Sequence, residues 1–173
     1  MINEIAYDVH WYGPYSLKDL DSEMGSDSGF VLYALYGPHP LYGTDVLLYL
    51  GMTEKSLKIC ISHHKSWISE LPNPIKIYGA AIGRFSSWEE ADAADEYPPL
   101  PEQEIKAIQS LLIIAHQPAY NIRSKESAEI ARDVRLFNTG NFGALLPEVS
   151  GCYHIVIYPS NRFNPTSRPR APC

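Results

Sequence analysis

No apolar run of about 18 residues occurs, so no segment reads as a membrane-spanning helix. The first residues, MINEIAYDVH, lack both the basic flank and the apolar stretch of a signal peptide. Cysteine is scarce: Cys60, Cys152 and Cys173 are odd in number and unrelated in spacing. That excludes a disulfide framework and fits reduced thiols. Together these absences predict a cytoplasmic protein with no membrane partner. There is no internal repeat and no long low-complexity tract. An excess of positive charge is missing too. The net charge of −6 argues against a protein that coats nucleic acid non-specifically.

The charge that is present is unevenly spread. Residues 55–65 carry Lys55, Lys58 and Lys65 and no acid, whereas residues 89–104 carry seven acids and no base. A local basic face can meet phosphate whatever the overall sign, although most charge runs are solvated surface. At 173 residues and 45% hydrophobic, the chain can bury a core as one domain without a disulfide or metal.

FVLYALYG (30–37) and DVLLYLG (45–51) read as buried strands paired antiparallel around the loop PHPLYGTD (38–45). Thr53 reads as an N-cap, and Leu57, Ile61, His64 and Ile68 predict one amphipathic helix over 54–69. IKIYGAAIGRF (75–85) predicts a third strand. Ser87 and Glu90 form a capping-box pattern for an acidic helix over 87–96. Ile105, Ile108, Leu112 and Ala115 predict a helix over 102–116 that stops at Pro118. Beyond it, 126–136 reads as helical, 137–143 as a turn and 152–158 as a late strand. NRFNPTSRPRAPC (161–173) reads as a loose tail. The predicted fold is α+β: a small, mostly antiparallel sheet flanked by helices, with a C-terminal extension.

These elements carry four motifs in order. They are V-L-Y ending at Tyr33; Y-L-G at Tyr49 to Gly51, followed by Thr53; the helix segment Cys60 to His64; and QSLLIIAHQPAYN, from Gln109 to Asn121. In this order they resemble the GIY-YIG nuclease family. The resemblance covers residues 30–121. It leaves 1–29 as an extension packed on the domain, 122–160 as a C-terminal extension and 161–173 as the tail. It implies a metal-dependent DNA endonuclease scaffold, with Tyr33, Tyr49, Cys60, His64 and Gln109 at the catalytic positions. Gln109 stands at the family's metal ligand, where an active relative holds Mg²⁺ or Mn²⁺. Duplex DNA is the implied partner, with contacts expected from Lys55, Lys58, Lys65, Arg84 and Asn121.

Two of the family's working parts are absent. Cys60 stands where the family has arginine, and Gln109 where it has glutamate. A thiol has no fork of donors for phosphate, and a neutral amide oxygen is a poor anchor for a hard cation. Positive charge at the reacting phosphorus is usually the largest catalytic contribution. The expectation is therefore a preserved scaffold that binds nucleic acid with little or no cleavage, and with no metal of its own. Natural decay and deliberate disabling leave the same sequence. Three substitutes for the missing parts stand in the sequence: Lys58, which points about 160° away from Cys60 on a helix; Glu102 or Glu104; and Arg84.

Plainer readings stand beside these. Tyr33 and Tyr49 also suit a core rich in tyrosine. Cys60 and His64, four residues apart, have the spacing of a helical metal pair or an activated thiol, but a buried inert cysteine is the commoner outcome. Gly51 reads as serving a sharp strand exit, and His63 as facing solvent. A protein-interaction module on the same scaffold is the competing function.

Overall fold

The computed structural model describes residues 4–22, 31–53, 56–71, 74–89, 97–121 and 132–157. Its frame is a six-stranded mixed sheet. The strands are β1 (Ile5–Tyr15), β2 (Leu32–His39), β3 (Gly43–Met52), β4 (Lys76–Arg84), β5 (Val134–Gly140) and β6 (Glu148–Ser150). Their order across the sheet is β3-β2-β4-β1-β5-β6. The helices are α1 (Asp19–Ser22), α2 (Leu57–Ser62), α3 (Lys65–Ile68), α4 (Glu102–His116) and α5 (Gly151–Ile157). No helix among the described residues is long and apolar enough to cross a membrane.

The α+β class holds, but the sheet is larger than expected and mixed. β1 lies inside it, antiparallel to β4 and parallel to β5. Alternation along β1 explains its position. Tyr7, Val9 and Trp11 are buried against α4, while Asp8, His10 and Tyr12 point the other way. Buried Asp8 is satisfied by two hydroxyl donors: Thr139 on β5, at 2.7 Å, and Tyr97. A buried carboxylate needs such partners.

The C-terminal region departs most from the sequence expectations. Val134 to Leu136, predicted helical, are strand; so are Phe137 to Gly140, predicted as a turn. Asn138, whose type favours turns, is drawn into the sheet by bonds from the Trp11 indole at 2.9 Å and to the Leu146 carbonyl at 2.7 Å. The late strand predicted over 152–158 from its alternation is instead helix α5 as far as Ile157, which contacts α4 and β6. Tertiary contact overrides weak β-propensity there.

The two faces of the sheet are covered differently. α4 packs its buried Ile108, Leu111 and Leu112 on the face carrying Leu32, Ala34, Leu50, Ala80 and Ile82. The opposite face, at the β2–β3 end, carries Tyr33 and Leu35. It is covered by Leu57 and Ile61 of α2, Ile68 of α3 and Leu20 of α1. The turn between β2 and β3 is only residues 40–42, so Pro38, His39, Gly43 and Thr44 are strand rather than loop. Pro38 is tolerated because β4 pairing ends at Tyr36.

The helix expected over 54–69 is two short ones. Ser56, not Thr53, is the N-cap, its side chain accepting from the Ile59 N–H. The Ser62 hydroxyl donates to the Ile59 carbonyl at 2.7 Å, the group that would otherwise continue the helix. His63 N–H turns to Cys60 O instead, and His64 N–H to Ile61 O. Tight i to i−3 bonds of this kind break the α repeat. The helix predicted over 87–96 lies mostly outside the described residues; Trp88 and Glu89 are helical. α4 matches its predicted bounds and ends at Gln117, with φ 47°.

Candidate functional site

β3 is an outer strand, and the chain after α4 closes it. Ala119 N–H donates to Leu47 O at 3.2 Å and Tyr120 N–H to Leu48 O at 2.8 Å. The Asn121 side chain then acts as one more peptide group. Its Oδ1 accepts from Leu50 N–H at 2.9 Å, and its Nδ2 donates to Leu50 O at 2.9 Å. Gln109 of α4 reaches the same carbonyl through Nε2, at 3.5 Å. Two residues of the fourth motif thus converge on Leu50, inside the second.

On the sheet face away from α4, the first three motifs meet. Tyr33 sits on β2 opposite Gly51 of β3. A Cβ at position 51 would lie 2.1 Å from Tyr33 Cζ. Glycine is therefore needed so that the ring can lie across the neighbouring strand. It lies within β3 rather than at a strand exit. The Tyr33 and Tyr49 rings stack with centroids 5.9 Å apart, and His64 packs on Tyr49 at 4.5 Å. The break between α2 and α3 places His64 at the start of α3.

The hydrogen bonds in this group have a definite direction. Trp67 Nε1–H can only donate, and it lies 3.4 Å from His64 Nδ1. Burial, with a smaller effect of His63, lowers the His64 pKa, so the ring is neutral near pH 7. Its proton then sits on Nε2 and is donated to the Tyr33 oxygen at 2.9 Å. The Tyr33 and Tyr49 hydroxyls are also hydrogen-bonded to one another. Burial, reinforced by Tyr49 and Cys60, pushes the Tyr33 hydroxyl well above the usual tyrosine range. Burial raises Tyr49 as well. The result is a chain of hydrogen bonds from Trp67 through His64 to Tyr33, in which His64 Nδ1 and the Tyr33 oxygen accept, with Tyr49 stacked beside Tyr33. It can present a hydroxyl to an anionic oxygen.

Cys60 is half-buried, and its thiol donates to the Thr53 hydroxyl at 3.0 Å. With both His64 nitrogens engaged elsewhere, Cys60 and His64 do not form a pair, and the helix that would have aligned them is broken. Lys58 and Lys65 are exposed on α2 and α3, and Lys55 lies outside the described residues. Arg84 does not reach the group. It shares the face of Ala80 and Ile82, toward α4, and bonds Glu104 at 2.6 Å. Glu104 also accepts from Tyr7 at 2.8 Å, and Glu102 pairs with Lys106. Glu102, Glu104 and Arg84 are thus committed elsewhere.

Gln109 offers one neutral amide oxygen, and no cluster of three His, Cys, Asp or Glu among the described residues could hold a metal. Hard cations select charged oxygens in number.

Sequence reasoning missed Thr53 as the partner of Cys60, Trp67 as the group that fixes the His64 tautomer, and Tyr120. Trp67 stands three residues after His64, a spacing that signals contact on one helical turn. No protein-family model matches the chain, and no curated protein or solved structure matches it.

Proposed function

We propose that the chain is a GIY-YIG-like nucleic-acid-binding domain whose nuclease site is impaired. The observation that carries this reading is the hydrogen-bonded set His64, Tyr33 and Tyr49, drawn from three separate motifs onto one sheet face. Gly51 beneath the Tyr33 ring and Asn121 on the β3 edge add support from two further motif positions. The same geometry argues against turnover. Cys60 provides a thiol where positive charge is needed, and Gln109 provides a neutral amide, its Nε2 turned to the Leu50 carbonyl. Losing an arginine and a metal ligand removes several kcal/mol of transition-state stabilisation, or several powers of ten in rate.

The test is restoration. The double variant Cys60→Arg with Gln109→Glu is expected to cleave DNA in the presence of Mg²⁺ or Mn²⁺, where the parent chain does not. A folded double variant that binds DNA but never cuts, across metals and sequences, sinks the impaired-nuclease account. Binding itself is read by titrating salt, since phosphate contact makes affinity fall steeply as salt rises. Absence of any binding at low salt leaves the protein-interaction reading in its place.

A further inference from the structure

The site group does not end at His64. Trp67 packs against His64 with ring centroids 5.7 Å apart, and Tyr120 meets Trp67 edge-on at 5.1 Å. His39 lies 5.7 Å from Tyr120, and Tyr42 stacks on His39 at 4.5 Å with the planes only 17° apart. Seven rings therefore run without a gap, from buried Tyr33 to Tyr42 at the β2–β3 turn. Burial falls along the way. Tyr33 is enclosed, and Tyr49, His64, Trp67, Tyr120 and His39 are half-buried. Tyr42 is 69% exposed, beside Leu41 at 81%. Two segments far apart in sequence build the outer half of this track, the 39–42 turn and the 119–121 crossover.

Charge on the helices beside the inner half of the track has one sign, while at the outer half Asp45 is paired with Lys76. Residues 56–68, which form its flank, include Lys58 and Lys65, both exposed, and no acid. In a chain of net charge −6, that is a local departure toward an anionic partner. Exposed ring faces with lysines alongside are what an unpaired nucleic-acid strand requires. Bases stack on π-faces without regard to sequence, and the phosphates run past the cations. Stacked base pairs within a duplex do not offer those faces.

We infer that the ring track from Tyr42 to Tyr49 binds unpaired bases, so that the nucleic acid engaged by this site is single-stranded. This rests on the nucleic-acid reading above and narrows its substrate class. The strand enters over Tyr42 and His39, passes Tyr120 and Trp67, and brings a phosphate to the Tyr49 hydroxyl.

A labelled short oligodeoxythymidine and a blunt duplex are titrated against the full chain at low salt. The expected result is tighter binding of the single strand. Tyr42→Ala should weaken it roughly tenfold, in line with the loss of one stacked base. Tyr42→Trp, which keeps a ring face, should restore it. Tyr42 is exposed, and the far-ultraviolet spectrum of each variant reports whether the sheet is intact. Equal or tighter duplex binding, unaffected by Tyr42→Ala, overturns this inference and leaves the nucleic-acid reading standing. Failure of both probes removes that reading, and the track is then a surface for a protein.

Discussion

At position 51, a hydrogen atom in place of a side chain decides where the Tyr33 ring lies. The Cβ of alanine would overlap that ring, and the ring cannot retreat without leaving His64 and Tyr49. Gly51→Ala is therefore expected to destabilise the fold by roughly 1–3 kcal/mol, the range for overpacking a filled site. In a Tyr33→Ala background the same change should be nearly neutral. A double-mutant cycle by urea unfolding measures the coupling, and additive effects would contradict the contact. Motif spacing alone shows Tyr33 and Gly51, but not that one makes room for the other. That relation needs the strand register. The Cys60–Thr53 bond was hidden for a similar reason: Thr53 looks like a helix cap, and only the later start at Ser56 releases it.

α4 is fastened at its C-terminal end through His116. Its Nδ1–H donates to Leu112 O at 2.8 Å, and its Nε2 accepts from Leu146 N–H at 2.8 Å. The imidazole is thus held neutral between a carbonyl and an amide, and burial lowers its pKa below the ordinary 6.5. The unfolded chain binds this proton more readily than the folded one. The associated stability is fully present above the unfolded pKa and is lost as pH falls toward the folded value. Urea midpoints should fall from about pH 7.5 to about pH 5.5, and the slope should be shallower in His116→Gln, which cannot titrate. Equal slopes in the two proteins would exclude His116 as a source. Elements with long, uniform patterns were legible: α4, β2, β3 and β4 follow apolar periodicity closely. β5 was not, because Asn138, Thr139 and Gly140 are turn-forming types held in a strand by partners on β1. The single helix expected over 54–69 failed on the Ser62 back-bond, which leaves the apolar spacing intact.

For the molecule as a whole, β1 is the organising strand. It joins β4 to β5 and carries Tyr7, Val9 and Trp11 into the core. The motif-bearing stretch 30–121 therefore lacks β1 and β5, and would expose the β4 edge and much of the α4 face. A fragment spanning residues 30–121 is expected to show no cooperative unfolding transition by circular dichroism, whereas the full chain melts sharply. A cooperative transition in the fragment would show that the outer strands are dispensable. The strand at 5–15 was missed in the sequence, where residues 1–29 read only as an extension packed on the domain, although Tyr7, Val9 and Trp11 alternate with Asp8, His10 and Tyr12. Its place inside the sheet is invisible there, because both neighbours are distant in the chain.

The parallel pairing of β1 with β5 also bears on biosynthesis. His10 and Thr139 are bonded across 129 positions. During translation, β1 leaves the ribosome well before β5 and waits for it before its second side is covered. Its Trp11 indole and Asp8 carboxylate have no sheet partner from β5 in that interval. Chaperone dependence should accordingly concentrate on the nascent chain before Thr139 emerges, and fade once synthesis has passed that point.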